Sequence, residues 1–189
     1  MLRNELKIAI RFTILTTVLL GVLYPLAVTV FGHFFLRSQS DGGLIVTNGQ
    51  VTGSSLIGQN FTGDQYFHGR PSAAGNGYDA TSSGASNFAS SSQKLVTRID
   101  GDIAHYAAEN QSQPVPIDLV TASGSGLDPD ISPAAAMFQA ESVANARHLP
   151  PATVRELVQR HVQGRQFGFL GEERVNVLLL NMDLDRLAH

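Results

Sequence analysis

The chain has 189 residues, a formal net charge of −3 at neutral pH and no cysteine. The absence of cysteine excludes disulfides, thiolate metal sites and a cysteine nucleophile. A mild negative charge that is scattered along the chain argues against a nucleic-acid or anionic-lipid partner. The length that remains after an apolar N-terminal segment is that of one ordinary domain, which is large enough for a hydrophobic core.

An uncharged, mostly apolar segment runs from Phe12 to Leu36. Because roughly 20 apolar residues in a helix cross the hydrocarbon of a bilayer, this segment predicts a membrane-spanning helix. Its interior proline, Pro25, is tolerated in such a helix. A cleaved signal peptide is the alternative, but its apolar region usually has about 7–15 residues and ends at a small-residue cleavage site. The longer segment here lacks such a site, so we expect an uncleaved anchor.

The charges that flank this segment predict its orientation. Arg3, Lys7 and Arg11 precede it with only Glu5 against them, and Arg37 follows it. Since positive charge in short flanking segments stays on the cytoplasmic side, we expect the N-terminus inside and the main domain periplasmic or extracellular. The predicted organisation in the inner (plasma) membrane is a short cytoplasmic N-terminus at 1–11, a transmembrane helix at 12–36 and a soluble extracytoplasmic domain at 37–189.

The first part of the domain mixes strand and loop signals. The residues from Leu44 to Val51 predict two short strands joined by Asn48-Gly49, a dipeptide typical of a type I′ hairpin turn. Residues 53–84 are rich in glycine and serine but also carry aromatic side chains, which indicates an ordered, irregular segment. Ser86 to Asn110 has the apolar spacing of a helix.

The second part of the domain is predicted to be mainly helical. A brief β-like run at Ile117–Val120 leads into a turn-rich loop from Thr121 to Pro129, and Ser132-Pro133 then supplies an N-cap for a helix over 134–147. A second helix is expected from Pro151, with one face formed by Val154, Leu157, Val158 and His161 and its end at Gly164. Val175–Leu180 fits a buried strand or the start of a helix. The predicted fold class is α+β, a single N-terminal transmembrane helix followed by one mixed α/β domain.

The candidate site residues lie on loops. Ser123, Gly124, Ser125 and Gly126 are flexible enough to approach a phosphate, but the Gly-Lys-Ser/Thr of a phosphate-binding loop is absent, which favours a tight turn. Asp128 and Asp130 offer two carboxylates, for which structural use at a helix start is the preferred interpretation.

Arg70 lies among aromatic residues, glycine and proline. Such an arginine either clamps a carboxylate or another chain, or ties its own loop internally, and the sequence leaves both open. The histidines are dispersed, and neither a Gly-x-Ser-x-Gly elbow nor a zinc-binding His-Glu-x-x-His occurs. No metal site is expected.

A set of distinctive segments follows in order along the chain: Gly53–Phe61, Tyr66–Ala73, Tyr78-Asp79, Ser86-Asn87, Pro116–Pro129, Ile131–Ala136, Gln139, Gly171-Glu172, Arg174–Leu178 and Leu180-Asn181. In these segments the chain resembles the C-subunit family of the bacterial Kdp potassium-transporting ATPase. With the N-terminal span they cover nearly the whole chain. One departure is Glu141-Ser142-Val143, where the family usually has an arginine before the valine.

The resemblance implies a non-catalytic subunit of a P-type pump. Its partners would be the potassium-binding A subunit, the ATP-hydrolysing B subunit and the small F subunit. The family's C subunit is described as a catalytic chaperone that raises the ATP affinity of the B subunit, so ATP is implied through the complex and no cofactor is expected to be bound firmly. Gln59 and the Ser123–Gly126 loop are the residues that such a role would recruit, and Arg70 is a further candidate.

Two other function classes remain open from the sequence. An anchored hydrolase would use Ser123 or Ser125 with a distant histidine. A stand-alone nucleotide-binding module would bind ATP with the isolated domain and depend on Gln59.

Overall fold

The structure, a computed structural model, describes residues 2–47, 49–110 and 113–187. The chain divides into two compact units, Met1–Thr52 and Gly53–His189. The fold is of the α+β class, as predicted: one long apolar helix near the N-terminus is followed by a mixed domain of helices and short strands.

The first unit is dominated by a long helix. It comprises α1 (Leu2–Thr16), a π-helical stretch (Thr17–Leu23) and α2 (Tyr24–Phe35). The wider turn precedes Pro25, which has no N–H to donate, and the Tyr24 amide donates to the Leu19 carbonyl five residues back. The helix has 34 residues, and its most apolar 18-residue stretch has a mean hydropathy of 2.2 and no buried residue, so it is long and apolar enough to cross a membrane.

This helix begins at Leu2, so residues expected as a short N-terminal tail are helical. A four-residue helix, α3 (Arg37–Ser40), follows, and then a hairpin of β1 (Leu44–Thr47) and β2 (Gln50–Ser54). The predicted turn includes Asn48, which lies outside the described residues, whereas Gly49 has a φ of 79°. The predicted bounds 1–11, 12–36 and 37–189 stay predictions.

In the second unit, residues 55–92 are irregular apart from one 3₁₀ turn (Ala80–Ser82), and α4 (Gln93–Glu109) follows. The prediction of a helix from Ser86 is wrong at its start. Asn87 has a φ of 52°, a left-handed conformation that an α-helix excludes. The serines before Gln93 also favour caps and turns over a helix interior, because their side chains compete for backbone hydrogen bonds.

Ile117–Val120 forms a short helix, α5, and the predicted β-like run is therefore wrong. The Thr121 hydroxyl donates to the Ile117 carbonyl at 2.8 Å and closes the turn. Leu119 and Val120 are buried. A run of four residues, three of them apolar, fits a buried helical turn as well as a strand, so its periodicity could not distinguish the two.

The remaining elements form the core of the unit. Strands β3 (Asp130–Ile131), β4 (Val162–Gln163) and β5 (Arg174–Asn176) make an antiparallel sheet in the order β3-β5-β4, in which Ile131 and Val162 both pair with Val175. Helices α6 (Pro133–Ala146), α7 (Pro151–His161) and α8 (Val177–Leu187) pack beside it. The largest fully buried apolar side chains are Phe67, Leu119, Phe138, Val154, Val158, Val175, Leu180 and Leu184.

The predicted start of α6 is confirmed. The Ser132 hydroxyl accepts a hydrogen bond from the Ala135 amide at 3.1 Å, and Pro133 occupies the first turn. The predicted end of α7 at Gly164 is wrong, since Val162 already has an extended backbone and enters β4. The Val175–Leu180 run contains both structures that were considered, the last two residues of β5 and then the first turn of α8.

Candidate functional site

Two buried carboxamides hold the irregular segment that carries the candidate residues. The Asn181 side chain of α8 accepts a hydrogen bond from the Phe67 amide and donates one to the Phe67 carbonyl, both at 2.9 Å. The Gln139 side chain of α6 does the same with the next residue, accepting from the His68 amide at 2.8 Å and donating to its carbonyl at 3.2 Å. The backbone amide and carbonyl of two consecutive residues are therefore all paired, as they would be inside a sheet.

A second attachment lies just before this pair. The Arg147 guanidinium packs over the Tyr66 ring, 4.8 Å from its centroid, and donates to the Gln65 carbonyl and to the Asp185 carboxylate, each at 2.6 Å. The Tyr66 hydroxyl donates to the same carboxylate at 3.4 Å. Since the Arg147 side chain is only 9% exposed, its cation is held in a largely desolvated position.

Residues 70–84 lie against residues 121–128, and we call this contact the two-loop junction. The Arg70 guanidinium donates to the Thr121 carbonyl and hydroxyl, each at 3.3 Å, and pairs with the Asp128 carboxylate at 3.2 Å. The Tyr78 hydroxyl donates to the Arg70 carbonyl at 2.6 Å. Of the two interpretations of Arg70, this geometry is that of an internal tie.

Serine hydroxyls and backbone groups complete the junction. Ser72 donates its hydroxyl to the Gly126 carbonyl at 2.6 Å, and Ser83 donates to the Ser125 carbonyl at 2.9 Å. The Ser123 amide donates to the Pro71 carbonyl at 3.2 Å. These bonds place the Arg70 segment and the Ser123–Gly126 loop together, although they are about fifty residues apart in sequence.

Gly126 is required by this close approach. Its φ is 68°, and a Cβ at this position would lie 2.7 Å from the Ala74 amide nitrogen and 2.8 Å from the Gly84 carbonyl oxygen. Both neighbours are backbone atoms that cannot rotate away, so a larger residue would push the two loops apart.

The other candidate residues serve the loop or face elsewhere. The Ser123 hydroxyl accepts from the Gly126 amide at 2.7 Å and lies 3.3 Å from the Ser125 hydroxyl, which accepts from the Leu127 amide. Gly124 is exposed. The Gln59 carboxamide lies over Gly53. Whether any of these residues binds a ligand stays a prediction.

Asp128 and Asp130 were expected to serve the start of α6, but each is held in an ion pair, and Asp118 supports the cap instead. Asp118 accepts from the Ser132 amide at 2.6 Å and from its hydroxyl at 3.1 Å, so Asp118 supports the cap. Asp128 pairs with Arg70, and Asp130 pairs with Arg174 at 3.2 Å. Burial raises the pKa of the Asp130 carboxyl, and the Arg174 charge opposes this change.

A polar cleft of about 280 Å³ lies between α4 and the segment 68–78. Phe61, His68, Arg70, Tyr78, Asp102, His105, Tyr106 and Leu119 are among the residues that line it. Burial raises the pKa of Tyr78 and of Tyr106 to about 12, with nearby carboxylates adding to the effect. Both phenols therefore stay protonated at neutral pH and serve as hydrogen-bond donors or acceptors.

Sequence reasoning did not identify the carboxamides of Gln139 and Asn181 as structural clamps. Each is a polar residue at a buried position of an otherwise apolar helix face, 3% and 1% exposed. A buried polar side chain requires a hydrogen-bond partner. This rule indicates that each carboxamide has a partner, but only the tertiary fold shows that the partners are Phe67 and His68.

The comparison with family models covers nearly the whole chain. A family model described as "KdpC: K+-transporting ATPase, c chain" matches residues 6–186. The chain belongs to the KdpC family. The resemblance carried by the sequence motifs is thus confirmed, and the chain is a subunit of a potassium-transporting ATPase complex.

Individual KdpC proteins are similar along almost their whole length. A potassium-transporting ATPase KdpC subunit from Acidobacterium capsulatum is 53% identical, with 97% of this chain and 99% of the relative covered. Its counterpart from Koribacter versatilis is 49% identical, covering 97% and 95%. One from Mycobacterium tuberculosis is 46% identical, covering 98% and 100%.

Replacing Asn181 by leucine tests the clamp. The Asn181→Leu variant leaves the amide and carbonyl of Phe67 buried without partners, so we expect the free energy of unfolding to fall by roughly 2–5 kcal/mol. The measurement is denaturant unfolding of the full chain in mild detergent. Asn145→Leu, at an exposed position of α6, is the matched control and should change the free energy by less than about 0.5 kcal/mol. Equal stability of the two variants would contradict the clamp.

Proposed function

We propose that this chain is a non-catalytic subunit that packs on the outer face of the potassium-binding A subunit and stabilises the pump. The ATP-hydrolysing B subunit and the small F subunit complete the proposed assembly. The observation that carries the proposal is the match of residues 6–186 to the KdpC family. In this proposal the domain supports the assembly or shapes the entry of ions, and the reaction takes place on a neighbouring subunit.

The polar groups of the two-loop junction support a non-catalytic role. The Ser123 and Ser125 hydroxyls bond to amides of their own loop and to each other, and among the described residues neither has a histidine partner. A serine nucleophile needs a base within hydrogen-bond reach. The described residues also contain no group of three or more His, Asp or Glu side chains that could hold a metal ion.

The charge pattern supports a domain outside the membrane. Arg3, Lys7 and Arg11 lie in the first turns of the long helix, where Glu5 is the single acidic residue. Positive residues before a span stay on the cytoplasmic side. The proposed arrangement is therefore a single pass through the plasma membrane with the C-terminal domain outside.

Cysteine labelling tests this orientation. The chain has no cysteine, so Ser90→Cys, at an exposed turn, introduces a unique thiol. We expect a membrane-impermeant maleimide to label Ser90→Cys in intact cells, or in spheroplasts where an outer membrane intervenes. Asn4→Cys, at the exposed start of the helix, should react only after lysis. The reverse pattern would contradict the orientation.

We further propose that any effect on ATP affinity is allosteric coupling through the assembly. ATP is hydrolysed inside the cell, whereas the domain is proposed to lie outside, so the proposed topology separates the domain from the nucleotide. An effector at one site changes affinity at another when it stabilises one of two states of the complex.

The purified pump tests this coupling. We expect a lower apparent KM for ATP in the pump that contains the chain than in the pump that lacks it. The full-length chain alone should bind no ATP in equilibrium dialysis, and Gln59→Ala should leave the KM unchanged. Submillimolar ATP binding by the chain alone, abolished by Gln59→Ala, would instead support a nucleotide-binding module.

A further inference from the structure

A groove of about 530 Å³ lies beside β3 and next to the two-loop junction, and it combines apolar and acidic surfaces. Ile131 is almost fully buried and Ile117 is 74% exposed, so the groove offers an accessible aliphatic side chain above an apolar base. The charged residues that line it are Asp118, Asp128, Asp130, Glu172, Glu173, Arg70 and Arg174.

The charge in this groove is not balanced internally. Its five carboxylates face two guanidinium groups, and both guanidiniums are already paired, Arg70 with Asp128 and Arg174 with Asp130. Asp118 bonds to Ser132, which is neutral, and no cation among the described residues pairs with Glu173. Glu172 is neutralised by Arg165, so Asp118 and Glu173 leave an excess of two negative charges that a cationic partner would neutralise.

An exposed aromatic tip continues from the groove along the chain. Residues 165–171 form a tight turn in which Gln166 and Leu170 exchange two backbone hydrogen bonds of 2.9 Å, and an Arg165–Glu172 ion pair closes its base. Phe167 and Phe169 are 87% and 70% exposed.

The tip combines an unusual backbone conformation with exposed aromatic rings. Phe167 has a φ of 52°, which is uncommon for a bulky residue. Exposed aromatic side chains at a fixed turn are typical anchors of protein interfaces. Together with the groove, they give a surface of the composition that a protein partner would cover.

We propose that the groove and the tip form one docking surface for a segment of another pump subunit that carries a lysine or arginine beside an apolar side chain. The cation would lie at the Glu173 side of the groove, and the apolar side chain would pack on Ile117 and the phenylalanines. This inference rests on the proposed function as a subunit of the assembly.

Charge complementarity selects this occupant over two others. A second copy of the chain in a two-fold arrangement would bring the same acidic patches together, which is unfavourable. An anionic lipid surface would be repelled by Asp118 and Glu173, which have no cationic partner among the described residues. A basic and apolar protein segment satisfies both the carboxylates and the exposed aromatic rings.

Co-purification from membranes tests the docking surface. The tagged full-length chain is expressed with the other subunits, purified in mild detergent, and the retained A subunit is quantified. We expect Glu173→Lys and the Phe167→Ser, Phe169→Ser double variant each to reduce retention roughly tenfold. Glu156→Lys, at an exposed position of α7, is the matched charge control and should retain the wild-type amount. Unchanged circular dichroism will show that each variant is folded.

The outcomes separate the inference from the function on which it rests. If the wild-type chain retains the A subunit and the groove and tip variants retain it equally well, the inference is wrong and the proposed function stands. If the wild-type chain retains no pump subunit, the proposed function fails and the inference fails with it.

Photo-cross-linking identifies the occupant. With benzoylphenylalanine in place of Phe167, we expect an adduct to a segment of a pump subunit that contains a lysine or arginine next to apolar residues. An adduct to lipid, or to a second copy of the chain, would overturn the proposal.

Discussion

The pairing of two buried carboxamides with the backbone groups of two consecutive residues is the constraint on which the C-terminal domain depends. Gln139 and Asn181 lie on different helices, yet they hold His68 and Phe67 through the same pair of donor and acceptor bonds. Because an unpaired peptide group in the core costs free energy, each bond fixes both the helix and the segment. A segment without regular secondary structure thereby acquires the rigidity of the core.

That rigidity explains how irregular loops form defined surfaces. Arg70 follows the clamped residues closely, so its guanidinium is positioned to tie Thr121 and Asp128, and Gly126 allows the loops to touch. The polar groups of the junction are used for this attachment. The surfaces that remain, an acidic groove and an exposed aromatic turn, are suited to protein contacts, which agrees with a subunit of a larger pump.

Local patterns predicted the elements that local chemistry determines. The uncharged run after Arg11 predicted the long helix, and the hydroxyl of Ser132 predicted the start of α6. The signals failed where tertiary contacts decide: Val162 leaves α7 to pair with Val175, before the expected glycine end. Composition and resemblance identified the candidate loops. They did not identify the pairing of Asn181 with Phe67, because these two residues are more than one hundred positions apart in the sequence.

Hydrogen exchange at the clamped peptide units tests the central claim most directly. Mass spectrometry of the full chain in mild detergent would follow a peptide that contains the Phe67 and His68 amides. The account predicts that these amides exchange as slowly as the amides of α6, because both are released only when the core opens. Exchange at the rate of an unstructured segment, while α6 stays protected, would contradict it.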